Sequence, residues 1–248
     1  MDTNKQKIID LFNKNVRNKR SDVSNSNTHH DGKEGHWLER QMGLSANASN
    51  KADLFGYEMK NNTTSKTTFG DWSPDIALYK GTLNRDTEFL VYFGKPNAKK
   101  NGRYSWSGTP VPKISRYNDF GQILKIDNNS NICAVYSFSK DLRPDKSQFI
   151  PANYQVDDLV IAQWTNSIIK KKLENKFNQN GWFKCKKNNS GVYHKIVFGD
   201  PINFENWLSL VKKGIVFFDS GMYAGNLRPY AQWRANNSVW DELITSEY

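Results

Sequence analysis

The chain predicts a mixed α/β protein, and three observations carry that prediction. Apolar residues recur at helical spacing in several stretches, and short runs rich in β-branched and aromatic residues stand between them. The length, 248 residues, suits one large domain or two lobes around a cleft and is ample for a core. The hydrophobic fraction of 37% is low, but 13% aromatic residues compensate because each buries a large area.

Taken in order, Ile8, Ile9, Leu11, Phe12 and Val16 share one face of a helix over 7–16. Residues 18–33 are polar, and the adjacent His29 and His30 among them read as loop rather than as metal ligands. Trp37, Leu38, Gln41 and Met42 predict a second helix over 34–44, closed by Gly43. Residues 45–51 form a small-residue polar connection, and 61–66 collect turn formers and hydroxyls. Strands are expected at 76–79 and 89–93, the second apolar enough to be central in a sheet. Residues 122–126 and 132–138 predict a strand pair around the turn Asp127-Asn128-Asn129-Ser130. The longest helical pattern runs over 157–177, on Leu159, Val160, Ala162, Trp164, Ile168, Ile169 and Leu173. Strands at 181–185 and 192–198, a helix at 204–211 and a buried strand at 215–218 complete the pattern.

The formal charge of +10 and sequence pI near 9.4 favour a polyanionic partner, although a ribosome-associated or membrane-surface protein would show the same totals. Residues 94–117 mix Lys95, Lys99, Lys100, Arg103, Lys113 and Arg116 with Tyr104, Trp106 and Tyr117 among glycines and prolines. That mixture suits a surface lying along a nucleic-acid backbone, and equally a solvated basic loop. Residues 219–234 hold Asp219, Tyr223, Arg228, Gln232 and Arg234. Arginine and glutamine read guanine and adenine edges bidentately, while an acid such as Asp219 either accepts from cytosine or orients an arginine. Cys133 and Cys185 have no metal-ligand neighbours at useful spacing, which argues against zinc and for two buried thiols in a reducing cytoplasm. Neither a secretion signal nor a bilayer-spanning run is present in the sequence, so a cytoplasmic location without a membrane partner is expected.

The stretch around which these elements are organised is Asp53-Leu54-Phe55-Gly56-Tyr57-Glu58-Met59-Lys60. In a strand starting near Gly56, Glu58 and Lys60 share one face while Tyr57 and Met59 enter a core. Asp53 lies just ahead, across a glycine that permits a sharp approach. Two acids and an ammonium in a small volume suit Mg²⁺, which relieves carboxylate repulsion, beside a lysine that orients water and offsets charge on a phosphate. The same three charges also fit the solvated face of an ordinary strand. Glu39 likewise reads either as a solvated helix position or as a third acid reaching toward Asp53.

The residues EGHWLERQMGL followed by KADLFGYEMK resemble the opening of the MutH-like restriction endonucleases, in particular the MvaI/BcnI family. There a helix with the signature G-x-x-[LF]-E-x-x-[LM], here Gly35 to Met42, precedes an Asp-x(n)-Glu-x-Lys site. A weaker similarity continues through LVYFGKPN, ISRYNDFGQIL and DSG…AQWR. The resemblance implies a PD-(D/E)XK nuclease fold: a mixed sheet flanked by helices, with about residues 1–93 as catalytic lobe and about 94–248 mostly as recognition lobe, its C-terminal segment completing the cleft that clasps duplex DNA. It implies that Asp53, Glu58 and the Met59 carbonyl ligate one or two Mg²⁺ ions, that Lys60 positions water and that Glu39 supports the metal shell. Lys95, Arg103, Arg116, Asp219, Tyr223, Arg228, Gln232 and Arg234 become DNA-contacting candidates, Arg234 as a base reader. A monomer is expected, working opposite a separately encoded methyltransferase. Some relatives use a histidine near the scissile phosphate; no equivalent is evident here, and Tyr223 and His194 are the candidates to stand in. A strand-nicking enzyme of mismatch repair and a catalytically inactive DNA-binding protein remain the alternatives, while an RNA-binding strand signature is absent from the sequence.

Overall fold

The protein is described by a computed structural model covering residues 3–24, 33–44, 50–61, 63 and 65–248. The first elements are α1 (Thr3–Asn15), α2 (Lys33–Gln41), β1 (Tyr57–Lys60), β2 (Lys66–Asp71) and β3 (Ile76–Ala77). Next come α3 (Leu90–Phe93), β4 (Lys95–Asn97), β5 (Arg103–Trp106), β6 (Phe120–Ile126) and β7 (Ile132–Asp141). The middle holds α4 (Lys146–Phe149), β8 (Leu159–Trp164), α5 (Asn166–Phe177), β9 (Gly181–Lys187) and β10 (Tyr193–Gly199). The chain finishes with α6 (Phe204–Lys212), β11 (Phe217–Ser220), β12 (Met222–Tyr223), β13 (Ala231–Asn236), α7 (Asn237–Glu242) and β14 (Ile244–Glu247). His29, His30 and the connection at 45–49 lie outside the described residues.

Contacts divide the chain into two compact units, one of Met1–Thr67, Lys172–Phe204 and Asn236–Tyr248, the other of Thr68–Lys171 and Glu205–Ala235. Each unit is built from separate stretches of the chain. Long-range strand pairing causes this. In the first unit β1 pairs in parallel with β9, more than a hundred residues later, in the register Glu58↔Trp182 and Lys60↔Lys184. The sheet order is β1-β9-β10-β14. One face carries Tyr57, Met59, Phe183, Cys185, Ile196 and Phe198, packed in one core cluster with Ile8, Ile9 and Phe12 of α1 and Trp37 and Leu38 of α2. Trp37 stacks on Tyr193 at 5.7 Å. By strand alternation Glu58, Lys60, Trp182 and Lys184 take the other face, where Trp182 meets Trp240 of α7 edge-on at 5.1 Å.

The second unit holds sheets of order β3-β8-β7-β6, β11-β13-β2 and β12-β5-β4. Its core is a chain of aromatic rings. Trp164 lies 4.7 Å from Phe218 and 5.2 Å from Trp233, and Trp207 lies 5.3 Å from Trp233.

Several expectations need correction here. Residues 89–93 are helical, not a central strand: a π-helical turn over Arg85–Phe89 runs into α3, and the Asn84 side chain caps it by accepting from Asp86 N and Thr87 N. Phe89, Leu90 and Phe93 are buried, an i, i+1, i+4 set that a five-residue apolar run cannot distinguish from a strand. The expected helix over 157–177 is half strand. Leu159–Trp164 forms β8, paired antiparallel with β7 through Ala134↔Ala162 and Ile132↔Trp164, and only Asn166–Phe177 is helical. Strand pairing overrides a helical pattern that Val160, 41% exposed, already violates. Trp106, expected on a basic surface, is fully buried and donates its Nε1–H to Gln122 Oε1 at 2.7 Å. The strands expected at 76–79 and 215–218 exist but are shifted or short.

Candidate active site

A tight reversal leads into β1. Phe55 and Gly56 both take positive φ, 50° and 83°, while Leu54 and Tyr57 exchange backbone bonds of 3.0 and 2.9 Å. Two consecutive positive φ values are what a type I′ turn requires; glycine meets that freely, whereas Phe55 costs roughly 1 kcal/mol. Asn180 holds the strained turn from outside, donating its backbone N–H to Gly56 O at 3.0 Å and its Nδ2 to Phe55 O at 2.8 Å. A Cβ on residue 56 would lie 2.6 Å from that Nδ2.

The reversal lays Asp53 alongside β1, where its Oδ2 accepts from Met59 N at 2.9 Å. The N–H and C=O of a strand residue point to the same edge. Since β1 stands at the end of its sheet among the described strands, the Met59 carbonyl points to the same edge as Asp53.

Glu58 and Lys60 leave the strand on one face, as its alternation predicts, and both are buried at 2% and 4% exposure. Lys60 Nζ donates to Glu58 Oε1 at 2.7 Å. Lys176 Nζ, from the last turn of α5, stands 3.1 Å from the same oxygen. Glu58 Oε2 and Asn61 Oδ1 are buried and have no hydrogen-bond partner among the described residues. The Lys60 ammonium also lies 4.8 Å from the Phe177 ring and 5.7 Å from that of Trp240. Burial, reinforced by the Glu58 charge, pushes the Asp53 carboxyl up to about 6 against the Met59 N–H and the two lysines. Burial also pulls Lys60 below the usual lysine range, with Glu58 opposing and Lys176 adding to the fall. An acid raised by its buried neighbour, hard oxygen donors and an orphaned carboxylate oxygen fit a hard divalent cation.

Glu39 sits one step away. Among the described residues no three His, Cys, Asp or Glu side chains gather as metal ligands. Glu39 Oε1 accepts from Asn61 Nδ2 at 3.2 Å, and its Oε2 lies 3.2 Å from His36 Nδ1. A Cβ on Gly35 would come within 2.8 Å of Asn61 Nδ2, so the glycine of the helix signature makes room for this contact.

Sequence reasoning missed Lys176, Phe177, Asn180, Lys184 and Trp240. Lys184 is buried beside Lys60 in the strand register, and burial lowers its pKa against the pull of Asp241. Its one sequence signal is a lone lysine inside an apolar strand, WFKC. His194 is exposed on β10, and Tyr223 belongs to the second unit.

That unit also holds Lys95, Arg103, Arg116, Asp219, Arg228, Gln232 and Arg234. The Arg103 guanidinium stacks 3.7 Å above the Tyr223 ring. Arg234 donates Nε–H to Gln232 Oε1 at 2.7 Å and pairs through Nη1 with Asp219 Oδ2 at 3.0 Å. Asp219 therefore orients an arginine, one of its two readings. Lys95 Nζ donates to Thr109 Oγ1 at 2.9 Å, while Arg116 and Arg228 are exposed. Arg228 lines a hollow of about 560 Å³ with Lys80, Asn84, Arg85 and Tyr230.

A mixed sheet with β1 at its end, flanked by helices, is a fold that a solved restriction endonuclease shares. The restriction endonuclease MvaI in complex with its cognate DNA substrate aligns with a TM-score of 0.61 at 13% identity, over 98% of this chain and 95% of that one. The type II restriction enzyme ScrFI of Lactococcus lactis subsp. cremoris is 51% identical, over 99% of this chain and 98% of that enzyme. Residues 16–248 match the LlaMI restriction endonuclease family. The chain belongs to that family and is a type II restriction endonuclease, a site-specific deoxyribonuclease of a class that generally uses a divalent metal. Among the described residues, no helix is long and apolar enough to cross a membrane.

Proposed function

We propose that the first unit hydrolyses phosphodiester bonds of duplex DNA at a short sequence, leaving 5′-phosphates, while the second unit reads the site. The observation that supports this most is the buried Lys60–Glu58 pair with Glu58 Oε2 left without a partner beside Asp53. Asp53, Glu58 and the Met59 carbonyl would hold Mg²⁺, which supplies Lewis acidity and a water of lowered pKa when bound. Lys60, steadied by Phe177 and Trp240, orients the attacking water and offsets charge on the phosphate. Glu39 acts through Asn61 rather than on the metal directly. Arg234, aimed by Asp219 and Gln232, reads a base, with Arg103 and Tyr223 as a stacked pair against the DNA and Lys95, Arg116 and Arg228 as backbone contacts. The enzyme acts as a cytoplasmic monomer, with a separately encoded methyltransferase protecting host sites.

Incubation of unmethylated plasmid with the protein and Mg²⁺, with the ends sequenced, tests this reading. Linear products with 5′-phosphates at one short sequence are expected, no cutting in EDTA, and a fall of at least about a thousandfold for Asp53→Ala and Lys60→Ala with DNA binding retained. A stable open circle would replace double-strand cleavage by nicking, and full cleavage by either variant would remove the assigned site.

A further inference from the structure

The end of α5 is built into the centre that Asp53, Glu58 and Lys60 form. Just ahead of Asp53, Ala52 N donates to Asn175 O at 3.2 Å, and Asn50 Nδ2 to Lys172 O at 2.8 Å. Lys176 reaches Glu58, Phe177 lies under Lys60, and Asn180 clasps the Phe55–Gly56 turn. Residues 172–180 thus touch Asn50, Ala52, Phe55, Gly56, Glu58 and Lys60. Within this assembly Lys176 has a distinct place. Its ammonium and that of Lys60 converge on Oε1 of Glu58, so both cations pull on one oxygen and Oε2 stays open. In formal charge, the two carboxylates of Asp53 and Glu58 are matched by the two ammoniums of Lys60 and Lys176.

We propose that Lys176 is a positioning residue that fixes Glu58 through Oε1 and holds the metal-free centre at zero net charge, keeping its affinity for divalent cations low in the DNA-free enzyme. The inference rests on Asp53 and Glu58 being the metal ligands. A dication entering a neutral, buried site gains little long-range attraction, whereas deleting one nearby ammonium leaves a net negative charge that draws it in. An arriving phosphate would supply such a negative charge in the working complex.

The test is calorimetric titration of Mn²⁺ into the full metal-free chain without DNA. Lys176→Met keeps the aliphatic stem and should bind Mn²⁺ at least about tenfold more tightly than the parent. Lys176→Gln should do the same, and provides the measurement if the methionine variant does not fold. Lys176→Arg keeps the charge and should stay within about twofold, as should Lys171→Met, which removes an exposed charge from the same helix. Equal or weaker Mn²⁺ binding by the neutral variants, or tightening by Lys176→Arg, overturns the proposal. Mn²⁺ binding that survives Asp53→Asn undamaged would instead overturn the ligand assignment itself, a separately readable failure.

Discussion

The two units bury acids in opposite ways. In the second, Asp141 is 3% exposed, yet its carboxylate accepts from Tyr136 Oη at 3.0 Å and from Arg143 Nη2 at 2.6 Å and Nε at 3.0 Å. Arg143 in turn donates to Tyr92 O at 2.7 Å at the end of α3, so the network closes on the backbone. In the first, Glu58 is as deeply buried, but among the described residues two ammoniums crowd one of its oxygens and none reaches the other. A satisfied buried acid holds a fold together; a half-satisfied one stores a cost that a ligand can relieve. The contrast separates architecture from chemistry without reference to any relative.

The largest effect that would break this contrast is on stability. Asp141→Ala leaves the half-buried Arg143 guanidinium and the buried Tyr136 hydroxyl without their acceptor and should destabilise the protein by about 3 kcal/mol in denaturant unfolding. A loss below about 1 kcal/mol would mean that the Asp141 network is no more structural than the Glu58 site.

A smaller effect concerns Asp53. Its carboxyl sits at about 6 in the folded protein against an ordinary value of 3.8. A raised pKa contributes stability that is fully present below the ordinary value and is lost as pH climbs through the folded one. Ionised Asp53 therefore costs the metal-free protein about 3 kcal/mol at neutral and alkaline pH, most of it arising above pH 4. Asp53→Asn removes that loss, so its stability relative to the parent should improve by about 2 kcal/mol between pH 4 and pH 8. Thermal melts at both pH values in EDTA measure it, and a pH-independent difference would show that Asp53 is not held at a cost.

The smallest effect sharpens the functional side of the comparison. Arg234→Ala should weaken binding to the cognate duplex by about 1–3 kcal/mol, and Mn²⁺ affinity of the DNA-free enzyme should stay unchanged. Equal weakening on random duplex would make Arg234 a backbone contact rather than a reader.

Part of this was legible from local pattern. The reversal before β1 and the shared face of Glu58 and Lys60 follow from a positive-φ glycine and a period of two, both readable within eight residues. The apolar faces of α1 and α2 were legible because 3.6-residue periodicity and the Gly43 stop are local as well. Residues 89–93 and 159–164 misled because a short apolar run satisfies helix and strand alike, and pairing with distant segments decides between them.

By itself, then, the sequence determined the acid-lysine motif, the basic balance and the kind of fold, since each depends on residue type and near-neighbour spacing. Only the tertiary structure decided who surrounds that motif. Lys176, Phe177, Asn180 and Trp240 lie more than a hundred residues further on and reach Glu58, Lys60 and the turn because β9 pairs with β1. Such parallel pairing leaves no periodic trace between its partners, so no window on the chain contains the site it builds.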